Sequence, residues 1–271
     1  MISWAQNLED VMLARALQGV EKGFYIDVGA FDPEIDSVTR HFYDKGWNGI
    51  NVDPVPAQIA KFTRARPRDI NLDVALGAQP GRMRFFDFSP QGLSTLDADV
   101  ASDMRARGFA CREIDVQVMT LAEVIGAHAP SVVEFLKIDV EGAEGLVLAG
   151  ADWSRHRPRI LVIEATAPMR TLATYGTWEP ALLQQGYVFA WFDGLNRFYV
   201  RREDADLLRH FRVQPNVFDG YFRAADMRKG ISDERLRSGP MYARAGAPHL
   251  MLSRARRWVR ERLAMRSVKR R

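Results

Sequence analysis

Short apolar runs alternate along this chain with segments whose apolar positions recur at helical spacing, the rhythm of strands covered on both faces by helices. A lead helix is predicted over Ala5 to Gln18, followed by a strand at Phe24 to Val28 and a helix from Asp36 to Lys45 with Val38, Phe42 and Tyr43 near one face. A second strand (Gly49 to Asp53), a helix (Ala57 to Arg64) and a third strand (Ile70 to Leu76) continue the alternation. Met83 to Phe88 and Asp115 to Met119 read as extra strands around a loop containing Gly92, Leu93, Ser94 and Thr95. Thr120 opens a helix, with Glu123 three residues on to complete a capping box. A strand carrying Phe135, Leu136, Ile138 and Val140 leads to a helix that stops at Gly150, and another strand follows at Ile160 to Glu164. A helix around Trp178 to Gln185 precedes strands at Tyr187 to Phe192 and Arg197 to Val200.

This order predicts an α/β fold built on a mainly parallel sheet. The short link Asp193 to Asn196 turns the last two strands into a hairpin, so the sheet should finish in an antiparallel strand. Beyond Asp204 the pattern is interrupted at Pro215, Gly230, Gly239, Pro240 and Gly246, which suggests an irregular extension. We therefore expect a domain over residues 1–204 and an extension over 205–271.

Charge enters the strand pattern most sharply at Lys137 and Asp139. Burying either ion alone is costly, so both should be paired or lie at the strand end beside a ligand. Gly142 then permits a tight turn, and Ala143, Leu146, Val147 and Ala149 continue at helical spacing. A salt-bridged core strand with an acidic helix cap explains this segment as readily as a functional site does. Upstream, Asp27 and Gly29 stand where the first strand ends, the place at which ligands bind in open α/β sheets. The three-glycine dinucleotide fingerprint is absent, which argues against NAD. Asp53 follows Asp27 by 26 positions, one βα unit later, where a carboxylate can hold ribose hydroxyls. The pair suits a nucleoside cofactor without a pyrophosphate.

On these residues the sequence resembles the FkbM family of S-adenosylmethionine-dependent methyltransferases. Asp27 to Ala30 is similar to the family's first cofactor motif, Val52 to Pro54 to its second acidic motif, and Val74 to Gly77 to its third-strand motif. Leu136 to Glu144 resembles the family's most specific signature, and Ile160 to Glu164 the strand that follows. The resemblance covers about Gly23 to Ala165 and extends through Asp193 to Tyr199, as in bacterial members linked to surface polysaccharides. Where many members have a glycine-containing turn after the first motif, Phe31, Asp32 and Pro33 stand here. The resemblance implies a Rossmann-like class I methyltransferase fold that binds S-adenosylmethionine through Asp27, Gly29, Ala30, Asp53, Val74 and Asp139.

A sulfonium already makes its methyl group electrophilic, so the protein's task is to align an acceptor and manage its proton. Asp139 and Glu164, at the ends of neighbouring strands, with Glu141 and Lys137, are the candidate catalytic residues. The expected acceptor is a hydroxyl of a glycan, glycolipid or sugar nucleotide. Two alternatives are a natural-product hydroxyl or peptide carboxylate, and a cofactor-binding scaffold without activity. Magnesium-dependent O-methyltransferases of this fold place acidic ligands at similar strand ends, so a divalent cation is a second candidate cofactor, with no ligand set assigned. His41 is a candidate base, and Ser94 and Thr95 could border the acceptor. Asn196 and Arg197 read equally as sugar ligands or a hairpin tip. Tyr43, Trp47 and Trp191 could stack on a sugar or fill core.

A hydrophobic content of 47% over 271 residues supplies one substantial core, and the single cysteine, Cys111, excludes an internal disulfide. No apolar run approaches a membrane span, and no basic segment of the signal-peptide kind opens the chain. These features suggest a cytoplasmic protein. Formal net charge is +4, but residues 254–271 hold nine Lys/Arg against one Glu, a local +8 that leaves −4 for the remainder. The body therefore makes no electrostatic case for nucleic acid. In the tail Leu252, Ala255, Val259 and Leu263 recur at helical spacing among arginines, a pattern suited to peripheral contact with the inner face of a membrane or to a solvated helix.

Overall fold

The alternating code resolves into an α/β/α sandwich. Residues 1–89 and 92–228 are described by the computed structural model. In chain order they begin β1 (Ile2–Ser3), α1 (Glu9–Ala16), β2 (Phe24–Val28), α2 (Arg40–Asp44), β3 (Asn48–Val52), α3 (Pro56–Ala65) and β4 (Ile70–Leu72). Then come β5 (Ala75–Leu76), β6 (Gly81–Asp87), α4 (Ala98–Ala106), β7 (Arg112–Met119), α5 (Leu121–His128), β8 (Phe135–Ile138), α6 (Glu144–Ala149) and β9 (Ile160–Glu164). The first unit closes with α7 (Glu179–Gln184), β10 (Tyr187–Phe192), β11 (Asn196–Arg201), a 3-10 helix over Arg202–Phe211 and β12 (Phe222–Arg223). This unit spans Met1–Arg223, and a second opens with α8 (Ala224–Arg228). The basic stretch 254–271 lies outside the described residues.

The main sheet has the order β10-β11-β9-β8-β2-β3-β4. All neighbours from β9 to β4 are parallel, and β11 runs antiparallel to both β9 and β10. The expected antiparallel strand is present, and it is inserted between β9 and β10. Alternation sorts the core onto two faces. Ile26, Val28, Leu136, Ile138, Leu161 and Ile163 pack with α5, α6 and α7 residues, while Tyr25, Phe135, Ile160 and Val162 meet α1 and α2 on the other side. Burying each such side chain contributes about 1.5–3 kcal/mol.

Five expectations change. Ile70 to Leu76 is not one strand: β4 joins the main sheet, whereas β5 pairs with β7 in a separate three-stranded sheet, β5-β7-β6. The break falls at Asp73 and Val74, just past Asn71, whose Nδ2 donates to the Arg66 and Asp69 carbonyls. The helix from Asp36 shrinks to α2, since Asp36 takes a left-handed φ of 51°, and the lead helix starts only at Glu9, after Leu8 at φ 68°. Helix α4 is an addition, with Asp97 as its N-cap accepting from the Asp99 and Val100 N–H groups. The irregular segment after Asp204 contains the 3-10 helix, which buries Phe211 against Phe198. The capping box of Thr120 and Glu123 forms as the sequence indicates.

Helix α1 ties the chain's start to the hairpin through buried acids. Asn196 Nδ2 donates to Glu9 Oε1 at 2.8 Å, the Asn7 N–H donates to Glu9 Oε2, and Ser3 Oγ donates to Asp10. Burial pushes Glu9 up to about 8 and Asp10 up to about 6, more than their hydrogen bonds lower them. A carboxyl raised on folding contributes stability that is full below its unfolded value and is lost as pH rises through its folded value. Urea midpoints should therefore fall between pH 5 and pH 8, and Glu9→Gln should flatten that slope. Equal slopes in the two proteins would exclude Glu9 as its source.

Candidate active site

Strand order reverses at β2, with β3 on one side and β8 on the other, and the crevice opens beyond the carboxyl ends of these strands. The chain leaves β2 through Gly29, at φ +75°, so near β8 that a Cβ would lie 1.8 Å from the Asp139 carbonyl oxygen. The Gly29 and Ala30 N–H groups both donate to the Val52 carbonyl, fixing the turn to β3. Phe31 follows at φ +55°, and its N–H donates to Asp53 Oδ2 at 3.0 Å. A non-glycine residue thus takes the left-handed conformation that a glycine would adopt, at a cost of about 1–2 kcal/mol. Asp32 holds the next turn by accepting from the Glu34 and Ile35 N–H groups.

A pocket of about 200 Å³ occupies the crevice. Asp53 forms one polar wall, with Oδ1 accepting from the Val55 N–H, and burial pushes its carboxyl up to about 6 against the pull of its two N–H donors. Apolar lining comes from Val52, Pro54, Val74, Leu76, Phe85 and Leu96. At the β8 side the lining turns polar again with Lys137, Asp139 and Glu141. An apolar slot beside a carboxylate suits an adenine and its ribose hydroxyls.

The charged pair read from the sequence is a triad. Lys137 Nζ lies 3.2 Å from Asp139 Oδ2 and 3.4 Å from Asp27 Oδ1, and donates to the Gly29 carbonyl at 2.9 Å. Burial alone would lower this ammonium; the two carboxylates outweigh it and hold the group above its ordinary value. Asp27 Oδ1 makes no hydrogen bond, so its link to Lys137 is an ion pair, while Oδ2 accepts from the Thr39 hydroxyl. Arg66, completely buried, donates to Thr39, Ser37 and the Pro33 carbonyl beneath.

Beside the triad lie three more acids. Glu141 sits at φ +55° in the turn after β8, held there by Thr95 Oγ1 donating to its carbonyl. Glu164 ends β9 one position past the Ile138–Ile163 pair, so it stands next to Asp139. One carboxylate oxygen from each of Asp139, Glu141 and Glu164 lies within 4.8 Å of the others. Burial, then repulsion from Asp139 and its neighbours, pushes Glu141 up to about 9 and Glu164 well above the carboxylate range. Glu144 is also raised, to about 7, chiefly by burial, but its Oε1 accepts from the Val140 and Gly142 N–H groups as a local cap.

Against protein-family models, residues 27–189 match the methyltransferase FkbM domain. The chain belongs to the FkbM methyltransferase family. The FkbM domain covers both halves of the crevice, from Asp27 through Asp139 to Glu164, and makes this protein an S-adenosylmethionine-dependent methyltransferase. No curated protein matches the chain. The acid and apolar walls around Asp53 fit the nucleoside part of that cofactor.

Of the residues singled out in the sequence, Gly29, Ala30, Asp53, Val74, Lys137, Asp139 and Glu141 line this pocket of the FkbM domain. Asp27 does not; it holds the floor through Lys137 and Thr39. Glu164 reaches the site from β9 through its contact with Asp139 and Glu141. Among the remaining candidates, Ser94 lines the pocket, bonding the Phe88 N–H. His41 does not, and burial lowers it to about 4. Tyr43 and Trp47 are core residues, and Trp191 packs against the same cluster. Asn196 is committed to Glu9, and Arg197 to Glu179 and Tyr199. Phe31, Gln6 and Leu96 line the pocket without a sequence signal, since nothing in an isolated Gln or Phe marks a turn that swings over a sheet end.

Proposed function

We propose that this methyltransferase acts on a hydroxyl of a glycan, glycolipid or sugar nucleotide. The observation that carries the reading is the three-carboxylate cluster of Asp139, Glu141 and Glu164 at the end of the cofactor pocket. Carboxylates accept hydrogen bonds from hydroxyl groups, and one of them must take the proton as the new C–O bond forms. Asp139 is the group for that role: it lines the pocket, its side chain is about a third exposed, and Lys137 compensates its charge. Glu164, buried behind it, positions Asp139. The bound cofactor supplies the electrophilic methyl group.

Electrostatics separates this reading from methylation of a carboxylate. An anionic acceptor needs free positive groups, and Lys137, the cation at this cluster among the described residues, is already engaged by Asp27, Asp139 and the Gly29 carbonyl. At this cluster a neutral hydroxyl is therefore favoured over a carboxylate. Transfer of a labelled methyl group should be seen with saccharides bearing free hydroxyls, and Asp139→Asn should slow turnover far more than it weakens cofactor binding. Label appearing only on carboxylate acceptors would replace the reading. Cofactor binding without S-adenosylhomocysteine release on any acceptor would point to a scaffold. Among the described residues no helix is long and apolar enough to cross a membrane. Peripheral contact with a membrane through the basic tail is part of the proposal, and its segment lies outside the described residues.

A further inference from the structure

We propose that Asp139, Glu141 and Glu164 form a binding site for a hard divalent cation of the magnesium, manganese or calcium class. The three carboxylates arrive from different places: the end of β8, the left-handed turn after it, and the end of β9. Their nearest oxygens all lie within 4.8 Å of one another. Oxygens bound at about 2.3–2.6 Å to one calcium ion stand at most about 5 Å apart, and three oxygens this close need a small closure to meet one calcium ion and a larger one to meet magnesium.

Clustered acids alone do not make a site; the state of Glu164 does. Its residue is 7% exposed, and among the described residues its Oε2 has no hydrogen-bond partner. Glu141 Oε2 is likewise buried without a partner. An unpartnered carboxylate oxygen away from water is costly, and two glutamates that each hold one while converging on a third carboxylate mark a missing positive charge. Among the described residues no protein group provides it. Lys137 reaches Asp139 but pairs with neither glutamate, and the fourth acid, Glu144, is turned onto backbone N–H groups. A donor set made only of carboxylate oxygens selects hard cations over zinc or copper. A proton shared by Asp139 and Glu164 is the rival arrangement, and it leaves Glu141 unpartnered.

Cation binding is independent of which acceptor is methylated, so it is read here without cofactor or acceptor. The full-length chain, stripped with EDTA, is titrated with Mn²⁺ while the free-ion electron paramagnetic resonance signal is followed. One ion should bind per chain and be displaced by Mg²⁺ or Ca²⁺. Glu164→Gln should weaken binding by at least about tenfold, and Glu141→Gln should do so independently, which covers the case in which one variant misfolds. Asp152→Asn, at a half-buried acid engaged with Ser154, is the control and should bind as the wild type does. Absence of Mn²⁺ binding, or binding that survives both glutamine variants, overturns the site in favour of the shared proton. Either result leaves the hydroxyl-transfer reading to its own test.

Discussion

Gly29→Ala is expected to cost this protein at least about 3 kcal/mol, among the largest losses of any single methyl addition in it. Two effects add. An alanine at φ +75° carries about 1–2 kcal/mol of backbone strain, and its Cβ would fall 1.8 Å from the Asp139 carbonyl oxygen, a backbone atom that cannot swing away. Gly46 separates them. It also has a positive φ, +95°, but nothing lies within 4 Å of where an added methyl group would stand, so Gly46→Ala should lose only about 1 kcal/mol. Chemical denaturation of the two variants measures the difference. Equal losses would mean that the contact between the β2 and β8 ends relaxes easily, and the crevice with it.

Lys137→Met should destabilise the fold by about 3–5 kcal/mol, because it strands a buried carboxylate. Asp27 is 1% exposed and would keep only the Thr39 hydroxyl, whereas Asp139, closer to solvent, can be hydrated. The loss should therefore trace to Asp27. Adding Asp27→Asn to Lys137→Met should recover much of it, and so should acidification, since protonation removes the stranded charge. Stability that changes by less than about 1 kcal/mol, or a double variant no better than the single, would show that Lys137 is not the counter-ion of the floor.

The sheet was legible because its strands are buried on both faces and so must be continuously apolar. Phe24 to Val28 and Ile160 to Glu164 appear at the residues their composition indicates. Legibility failed where tertiary contacts override local pattern. Ile70 to Leu76 is uniformly strand-like, yet after Leu72 it divides between two sheets. Asp36 sits in a helical pattern but adopts a left-handed turn under the crevice. In the site, residues whose charge is anomalous in an apolar run, Lys137 and Asp139, announced themselves. Phe31 and Gln6 did not, because their contribution comes from where the backbone carries them. Asp27 illustrates the middle case: its place at the end of β2 was readable, but the direction its side chain takes, onto Lys137 and Thr39 instead of into the pocket, was not.

The insertion of β11 between β9 and β10 has a consequence for the order in which the protein can be finished. Until residues 196–201 pair with residues 160–164, β9 is an open edge with its backbone groups unsatisfied on one side. That same strand ends in Glu164, so the acidic side of the crevice is held by a strand that gains its second neighbour only after the whole α7 and β10 stretch has been synthesised. Asn196, the first residue of β11, pairs directly with Glu164 and donates to Glu9 near the start of the chain. Completion of the crevice is thereby coupled to closure of the whole unit: a chain shortened before β11 would keep β2, β3 and β8 and lose the support of the crevice's acidic side.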